Sequence, residues 1–204
     1  MLRMIVLALV VLADGALMAP PTGQAAPRAP SRDPDVIFIA STGPVVDAML
    51  KMAKVTRTDV VYDLGCGDGR IVIAAAKQYG ARGVGIDIDP DRITEANAKA
   101  RAAGVADKVR FILGDIFSED VTFKDATVVT LYLLPSLNER LRPRLWRDLK
   151  PGTRVVSNSF GMSDAWPPER TQQVDDRWIY FWTIRGTGLF STDSDESGTD
   201  LGWS

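Results

Sequence analysis

A glycine-rich turn in the first third of the chain holds the residue types best suited to chemistry. It follows the run Val60–Leu64, which is apolar except for Asp63. Glycines then stand at alternate positions, Gly65, Gly67 and Gly69. Alternate glycines allow a sharp bend and a close approach of the backbone to a bulky ligand at the head of a helix. The dinucleotide pattern G-x-G-x-x-G would need a further glycine where Arg70 stands, so this turn departs from that pattern.

Carboxylates follow two further short apolar runs. Asp87 ends the run that starts at Val84, where a carboxylate can accept hydrogen bonds from a ribose diol, and Asp89 is expected to cap the helix after it. Asp115 comes after the run Val109–Leu113. Because the carboxyl ends of parallel strands meet at one edge of a sheet, we expect these carboxylates to converge with the glycine turn. An ordinary strand-to-helix turn of an α/β domain is the alternative interpretation.

The spacing D-x-G-x-G-x-G resembles motif I of the class I S-adenosylmethionine (SAM) methyltransferases. The resemblance implies a nucleoside sulfonium ligand, and a Rossmann-like α/β fold whose mostly parallel sheet has an antiparallel edge strand and helices on both faces. In that family the side chain at the position of Asp115 usually binds the adenine amino group. We interpret Cys66 as a small residue that fits the turn rather than as a reactive thiol. The resemblance implies that SAM is bound by Asp63, Gly65, Cys66, Gly67, Gly69, Asp87, Ile88, Asp115, Ile116 and Leu131.

Further stretches resemble one family more closely, the mitochondrial protein-lysine methyltransferases that modify the c subunit of ATP synthase and the adenine nucleotide translocase. The resemblance covers about residues 36–185, and the chain looks like a small bacterial-type relative of this family. The residues that carry the resemblance are 63–77, 154–160, Trp166-Pro167 and the aromatic strand around Trp178. It implies methyl transfer from SAM to an amine, most simply a protein lysine. Methylation of a lipid or quinone-like small molecule, and a non-catalytic nucleoside-binding domain, are the alternatives.

Methyl transfer from a sulfonium needs little beyond alignment, because the leaving group is excellent. An attacking lysine must be neutral, which favours a nearby oxygen that accepts its proton. Tyr132, which follows the apolar run 126–131, is the candidate catalytic residue, together with oxygens near Asn158 and Ser159. The N/D-P-P-Y motif of enzymes that methylate planar nitrogens is replaced by Leu131–Pro135, which disfavours adenine, cytosine or glutamine as the acceptor.

Composition excludes several classes of protein. A chain of 204 residues, 46% hydrophobic and 25% charged, is typical of one globular domain, and a formal net charge of -2 disfavours a nucleic-acid-binding surface. The chain has no histidine and one cysteine, which excludes a Ser-His-Asp triad, a histidine-ligated metal and an intramolecular disulfide. We expect no metal, no nucleic-acid partner and a monomer.

The first 26 residues are typical of a secretory signal peptide: a short positive start, an apolar run from Met4 to Ala13, and small residues before Pro27. An uncleaved membrane anchor and a misassigned start, with translation from Met18, are the alternatives. Because SAM is a cytosolic metabolite, the compartment stays open between export, membrane association and the cytoplasm. The expected organisation is a signal or anchor segment (1–26), a proline-rich linker (27–35), a methyltransferase domain (36–186) and an acidic disordered tail (187–204).

Hydrophobic periodicity predicts alternating strands and helices in the domain. The predicted strands are 60–64, 84–87, 109–113, 126–131 and 154–157, and the predicted helices are 43–53, 70–79, 91–103 and 136–149. Ser136 is the expected N-cap of the last helix. The family resemblance places a further strand, Trp178–Ile184, antiparallel at the edge of the sheet. We expect Trp166, Trp178 and Trp182 to be core or edge aromatics rather than a substrate cage.

Overall fold

The structure is a computed structural model, and it describes residues 40–186. The predicted signal or anchor segment, the linker, residues 36–39 and the acidic tail lie outside the described residues. Four helices and seven strands form within the described range. The helices are α1 (Gly43–Met52), α2 (Arg70–Tyr79), α3 (Pro90–Ala102) and α4 (Pro135–Asp148). The strands are β1 (Val60–Leu64), β2 (Arg82–Asp87), β3 (Val109–Leu113), β4 (Val128–Leu131), β5 (Arg154–Asn158), β6 (Arg170–Val174) and β7 (Arg177–Thr183).

The strands form one sheet in the order β3-β2-β1-β4-β5-β7-β6. The first five strands of that order are parallel, whereas β7 is antiparallel to both β5 and β6. The strand order reverses between β1 and β4, and ligands of open α/β sheets bind in the crevice beyond the carboxyl ends of strands at such a point. The predicted fold class is confirmed.

Each face of the sheet is covered by helices. On one face Leu50 of α1 and Val72 of α2 pack in a core that also holds Val61 and Val156 of the sheet. On the other face Leu141 and Leu145 of α4 pack with Tyr62, Leu131 and Trp182. Side chains along a strand alternate between faces, so the sheet is apolar on both sides, as expected for buried parallel strands.

Two local predictions are wrong. Ser136 does not cap the last helix, because α4 already begins at Pro135 with Leu134 as its N-cap residue and without a side-chain cap. Proline suits the first helical position, since its fixed φ is helical and it has no N–H to satisfy there. The aromatic strand, observed as Arg177–Thr183, is not at the sheet edge but one strand inside it.

The edge strand is β6, which the sequence did not indicate. Four of its five residues are exposed and the fifth is partly exposed, so it lacks the apolar alternation that identifies a strand. Its backbone pairs with β7 from Arg170 opposite Phe181 to Val174 opposite Arg177. A polar strand at this position also protects the sheet from pairing with other chains.

None of the helices between residues 40 and 186 has both the length and the apolar character needed to cross a bilayer.

Candidate active site

The glycine turn joins β1 to α2 in a conformation that requires glycine. Gly65, Gly67 and Gly69 have φ values of +84°, +51° and +77°, a region that residues with a side chain rarely adopt. The backbone N–H groups of Gly65 and Cys66 donate to the Ile86 carbonyl at 2.9 and 3.0 Å, which fixes the turn against β2. Cys66 is buried, and burial raises the pKa of its thiol, in agreement with a packing role.

The space around two of the glycines adds to this requirement. A Cβ added at Gly65 would lie 2.9 Å from Leu133 Cδ2, and one added at Gly69 would lie 2.5 Å from the Phe111 ring. Gly69 is also the N-cap residue of α2 and has no side chain to cap it. The first backbone N–H of α2, that of Arg70, instead donates to Asp68 Oδ1 at 3.3 Å, and a negative group is favourable at that end of a helix.

The carboxylate of Asp87 is held by backbone N–H groups on both sides. Its Oδ2 accepts from Gly67 N at 2.7 Å and its Oδ1 accepts from Asp89 N at 3.0 Å. Burial raises the pKa of Asp87, and these N–H groups partly oppose that shift. The backbone N–H of Ile88 opposes the shift as well, and the carboxylate is the kind of acceptor that a ligand hydroxyl can use. Ile88 follows, partly buried, and Asp89 caps α3 by accepting from Asp91 N at 2.8 Å, as predicted.

Asp63 lies at the carboxyl end of β1 and is 3% exposed. The hydroxyl of Thr130 on β4 donates to Asp63 Oδ1 at 2.7 Å. Burial raises the pKa of Asp63 to about 7, against the hydrogen bond from Thr130 and with a contribution from the charges of Asp87 and Asp68. The carboxylates of Asp63, Asp68 and Asp87 therefore lie close enough together to repel one another in a poorly solvated place.

Asp68 was missed by the sequence reasoning. It is buried and pairs with Arg70, whose Nη2 lies 2.7 Å from Asp68 Oδ2, and with Lys99 of α3. Burial alone would raise the pKa of Asp68, but the hydrogen bonds from the two cations lower it to about 2. Arg70 Nη1 also donates to the Ser41 carbonyl at 2.7 Å. The glycine turn is thereby tied to α3 and to the chain just before α1.

The loop after β3 is tied to the same edge. Gly114 N donates to the Asp87 carbonyl at 2.8 Å, and Asp115 Oδ1 accepts from Phe117 N at 2.9 Å. Ile116 is buried, and its carbonyl accepts from the buried guanidinium of Arg144 on α4 at 2.6 Å. Arg144 also donates to the carbonyl groups of two later loop residues and pairs with Asp148, so it holds the loop that carries Asp115.

A second group of polar side chains lies where β4 and β5 end. Leu131 is buried, and the next residue, Tyr132, accepts a hydrogen bond from Arg177 Nη1 at 2.8 Å and stacks on Phe160 with the ring centroids 6.3 Å apart. Ser159 has φ +65°, which is rare for a residue other than glycine. Its hydroxyl donates to Asn158 Oδ1 at 2.9 Å.

Ser41 joins the two groups. Its carbonyl accepts from Arg70 beside the glycine turn, and its hydroxyl accepts from Asn158 Nδ2 at 2.9 Å. The predicted convergence is therefore present at one edge of the sheet, through contacts that could not be read from spacing. Of the three tryptophans expected in the core or at an edge, Trp166 and Trp182 are buried, and Trp178 is 47% exposed on β7. Residues 40–186 contain no cluster of three or more cysteine, aspartate or glutamate side chains suited to a metal ion.

Comparison with known proteins gives consistent results. The family model of the ANTKMT methyltransferase domain matches residues 63–170. A protein-lysine N-methyltransferase of Saccharolobus islandicus is 44% identical over 156 residues, which cover 74% of this chain and 95% of that protein. The Mus musculus lysine N-methyltransferase named for the C subunit of ATP synthase is 32% identical over 154 residues, which cover 74% of this chain and 60% of that protein.

Solved structures extend the comparison to the bound ligand. A crystal structure described as an RNA methyltransferase from Salinibacter ruber with S-adenosyl-L-homocysteine has a TM-score of 0.71 and 53% sequence identity, and the match covers 78% of this chain and all of that one. A SAM-dependent methyltransferase from Geobacter sulfurreducens, also with S-adenosyl-L-homocysteine, has a TM-score of 0.50 and 26% identity over 57% of this chain and 48% of that one.

Proposed function

The chain belongs to the ANTKMT methyltransferase domain family and is a SAM-dependent methyltransferase, and we propose that its methyl acceptor is the side-chain amine of a protein lysine. The observation that carries the proposal is the 44% identity to the Saccharolobus enzyme, named for protein lysine, along 95% of that enzyme's length. The lysine enzyme of the mouse supports it at 32% identity, although the match covers only about three fifths of that protein.

The proposed SAM site is the crevice at the carboxyl ends of β1, β2 and β3. The residues there suit an electron-rich nucleoside with a diol: glycines without a Cβ line the turn, and backbone N–H groups hold the Asp87 carboxylate, an acceptor for hydroxyl groups, beside it. Asp115 and Ile116 lie in the loop beside it, and we assign this side to the adenine. We propose that the cofactor is bound by Asp63, Gly65, Cys66, Gly67, Gly69, Asp87, Ile88, Asp115, Ile116 and Leu131.

When bound, SAM supplies a methyl group that is activated by its attachment to a sulfonium. The lysine nitrogen forms the new N–C bond as the C–S bond breaks, and the resulting methylammonium then loses one proton to water. The lysine must arrive neutral, with its lone pair aimed at the methyl group. We assign Tyr132 as the residue whose oxygen accepts an N–H of the amine and fixes its direction, with the oxygens of Asn158 and Ser159 beside it.

RNA methylation is a second candidate, since the Salinibacter structure is described as an RNA methyltransferase and is 53% identical. Two features of this chain disfavour RNA. Its formal net charge is -2, whereas proteins that bind nucleic acid usually present excess positive charge. The sequence at the end of β4 is Leu131–Pro135 and not the N/D-P-P-Y motif of enzymes that methylate planar nitrogens.

Labelled SAM separates these candidates. The full chain is incubated with methyl-labelled SAM and with dialysed protein, RNA and lipid fractions of a cell extract. We expect label in the protein fraction that protease releases and that acid hydrolysis converts to methyl-lysine. Label that ribonuclease removes would identify RNA as the acceptor, and label that organic solvent extracts would identify a lipid or quinone-like molecule. Tight SAM binding without transfer to any fraction would identify a non-catalytic binding domain.

We further propose that residues 1–26 direct the chain to or across a membrane and that the catalytic domain is monomeric. The apolar run near the start of the sequence supports the first proposal. Mass spectrometry of the native protein separates the possibilities. A chain that starts near Ala26 indicates a cleaved signal, a full-length chain in the membrane fraction indicates an anchor, and a soluble chain from Met18 contradicts both. Analytical ultracentrifugation measures the mass of the catalytic domain in solution, and a mass of two or more chains would contradict the monomer.

A further inference from the structure

Arg177 at the start of β7 reaches a residue two strands away in the sheet. Its Nη1 donates to the Tyr132 hydroxyl oxygen at 2.8 Å, although β5 lies between β7 and β4. In the sheet register Asn158, the last residue of β5, pairs with Ile179, so Arg177 lies beyond the end of β5. Because β7 is antiparallel to β5, its first residue lies at the carboxyl edge of the parallel strands, and the Arg177 side chain is 38% exposed there.

The contact depends on how β5 ends. Ser159 takes the left-handed conformation, φ +65°, which a residue with a side chain holds only when its surroundings enforce it. Three contacts do so: Ser159 N donates to the Trp178 carbonyl at 2.7 Å, its hydroxyl donates to Asn158 Oδ1 at 2.9 Å, and Arg177 Nη1 lies 3.5 Å from the same hydroxyl. The turn places Ser159 beside Arg177 and the Phe160 ring against Tyr132.

We propose that Arg177 is a positioning residue for methyl transfer, and that it acts by holding the Tyr132 phenol in the orientation that receives the acceptor amine. This inference rests on the proposed function of Tyr132. A neutral phenol oxygen has two lone pairs and one O–H. Arg177 occupies one lone pair and Phe160 stacks on the ring, so the second lone pair has a fixed direction in which it accepts an N–H from the amine.

Charge fits the same role. The guanidinium carries only donors, so it always acts as the donor toward the Tyr132 oxygen. A fixed cation beside the acceptor also disfavours the protonated ammonium and favours the neutral amine that attacks. Asp176, whose Oδ1 lies 3.4 Å from Arg177 Nε, is the opposing charge, and its side chain is 81% exposed and therefore screened by water.

A double-mutant cycle tests the inference. Initial rates are measured at saturating SAM for the wild type, Arg177→Gln, Tyr132→Phe and the double variant, with dialysed total protein of the expression host as the acceptor. We expect each single variant to lose about tenfold in kcat and the double variant to lose about tenfold as well, because both changes remove the same contact. Arg177→Lys should recover part of the loss, since an ammonium can donate to Tyr132.

The affinity for SAM distinguishes positioning from a structural defect. Calorimetry should find the dissociation constant of SAM within about twofold of the wild type in every variant, because Arg177 does not touch the glycine turn. Arg185→Gln is the matched control, since Arg185 is 61% exposed and pairs with Glu169 away from Tyr132, and its kcat should be unchanged. Losses that multiply to about a hundredfold, full activity of Tyr132→Phe, or a fall in SAM affinity equal to the fall in kcat would overturn the inference while leaving lysine methylation intact. If the wild type puts no label into protein, both proposals are wrong.

Discussion

Replacement of Asp63 by asparagine tests the electrostatics of the site through the pH dependence of stability. Asp63 is 3% exposed, and its pKa is raised from 3.8 to about 7, mainly by burial. The folded protein therefore binds this proton more tightly than the unfolded chain does. Under proton linkage, the free energy of unfolding must fall as the pH rises from about 4 to about 7. Asparagine keeps the shape and the acceptor for Thr130 but has no charge to bury.

The magnitude follows from the two pKa values. A raise of about 3 units corresponds to about 4 kcal/mol between the protonated and ionised forms at 1.36 kcal/mol per unit. Part of this difference is already present at pH 5, so about 2–3 kcal/mol develops between pH 5 and pH 8. Asp68, and Asp59 just before β1, have lowered pKa values, so the stability that these two carboxylates contribute is lost only at lower pH. Asp87 has a raised pKa and shifts the curve in the same direction as Asp63.

Urea unfolding of the ligand-free protein, followed by tryptophan fluorescence at pH 5, 6, 7 and 8, measures this effect. We expect the stability of Asp63→Asn relative to the wild type to increase by about 2–3 kcal/mol over that range. Asp91→Asn, a change at an exposed position of α3, serves as the control, and its curve should run parallel to that of the wild type. Parallel curves for Asp63→Asn and the wild type would show that Asp63 is ionised at no cost, which would refute the reasoning.

Three further predictions concern the ligand and the domain boundary. Asp87→Ala should weaken SAM binding by about 2–4 kcal/mol in calorimetry, because the ribose hydroxyls lose a charged acceptor. The control variant Asp89→Asn keeps the helix cap and should bind SAM normally. Unchanged affinity in a folded Asp87→Ala protein would contradict the ribose assignment. Gly67→Val should abolish SAM binding, because a β-branched residue is strained at φ +51°, and retained binding would exclude this turn as the site. A chain that begins at Asp35 should fold and bind SAM, and an insoluble or unfolded product would show that earlier residues pack on the domain.

Most of the element boundaries could be predicted from the sequence because their signals are local. The strands at Val60–Leu64 and Val109–Leu113 and the helix Arg70–Tyr79 were predicted with the observed bounds. Apolar periodicity, glycine turns and helix caps act within a few residues, so they can be recognised in the sequence without the tertiary structure. The same locality explains the failure at β6, whose polar residues carry no signal of their own and become a strand only by pairing with β7.

The chain by itself predicted the chemistry of the site, since the order of glycines and carboxylates at the strand ends resembles motif I of the SAM methyltransferases. Only the tertiary structure decided which side chains meet there. Tyr132 and Arg177 are 45 residues apart, and Asp68 and Lys99 are 31 apart. The physical reason is that a hydrogen bond between distant residues depends on strand order and register, which the packing of the whole sheet determines. No spacing within the sequence records that information.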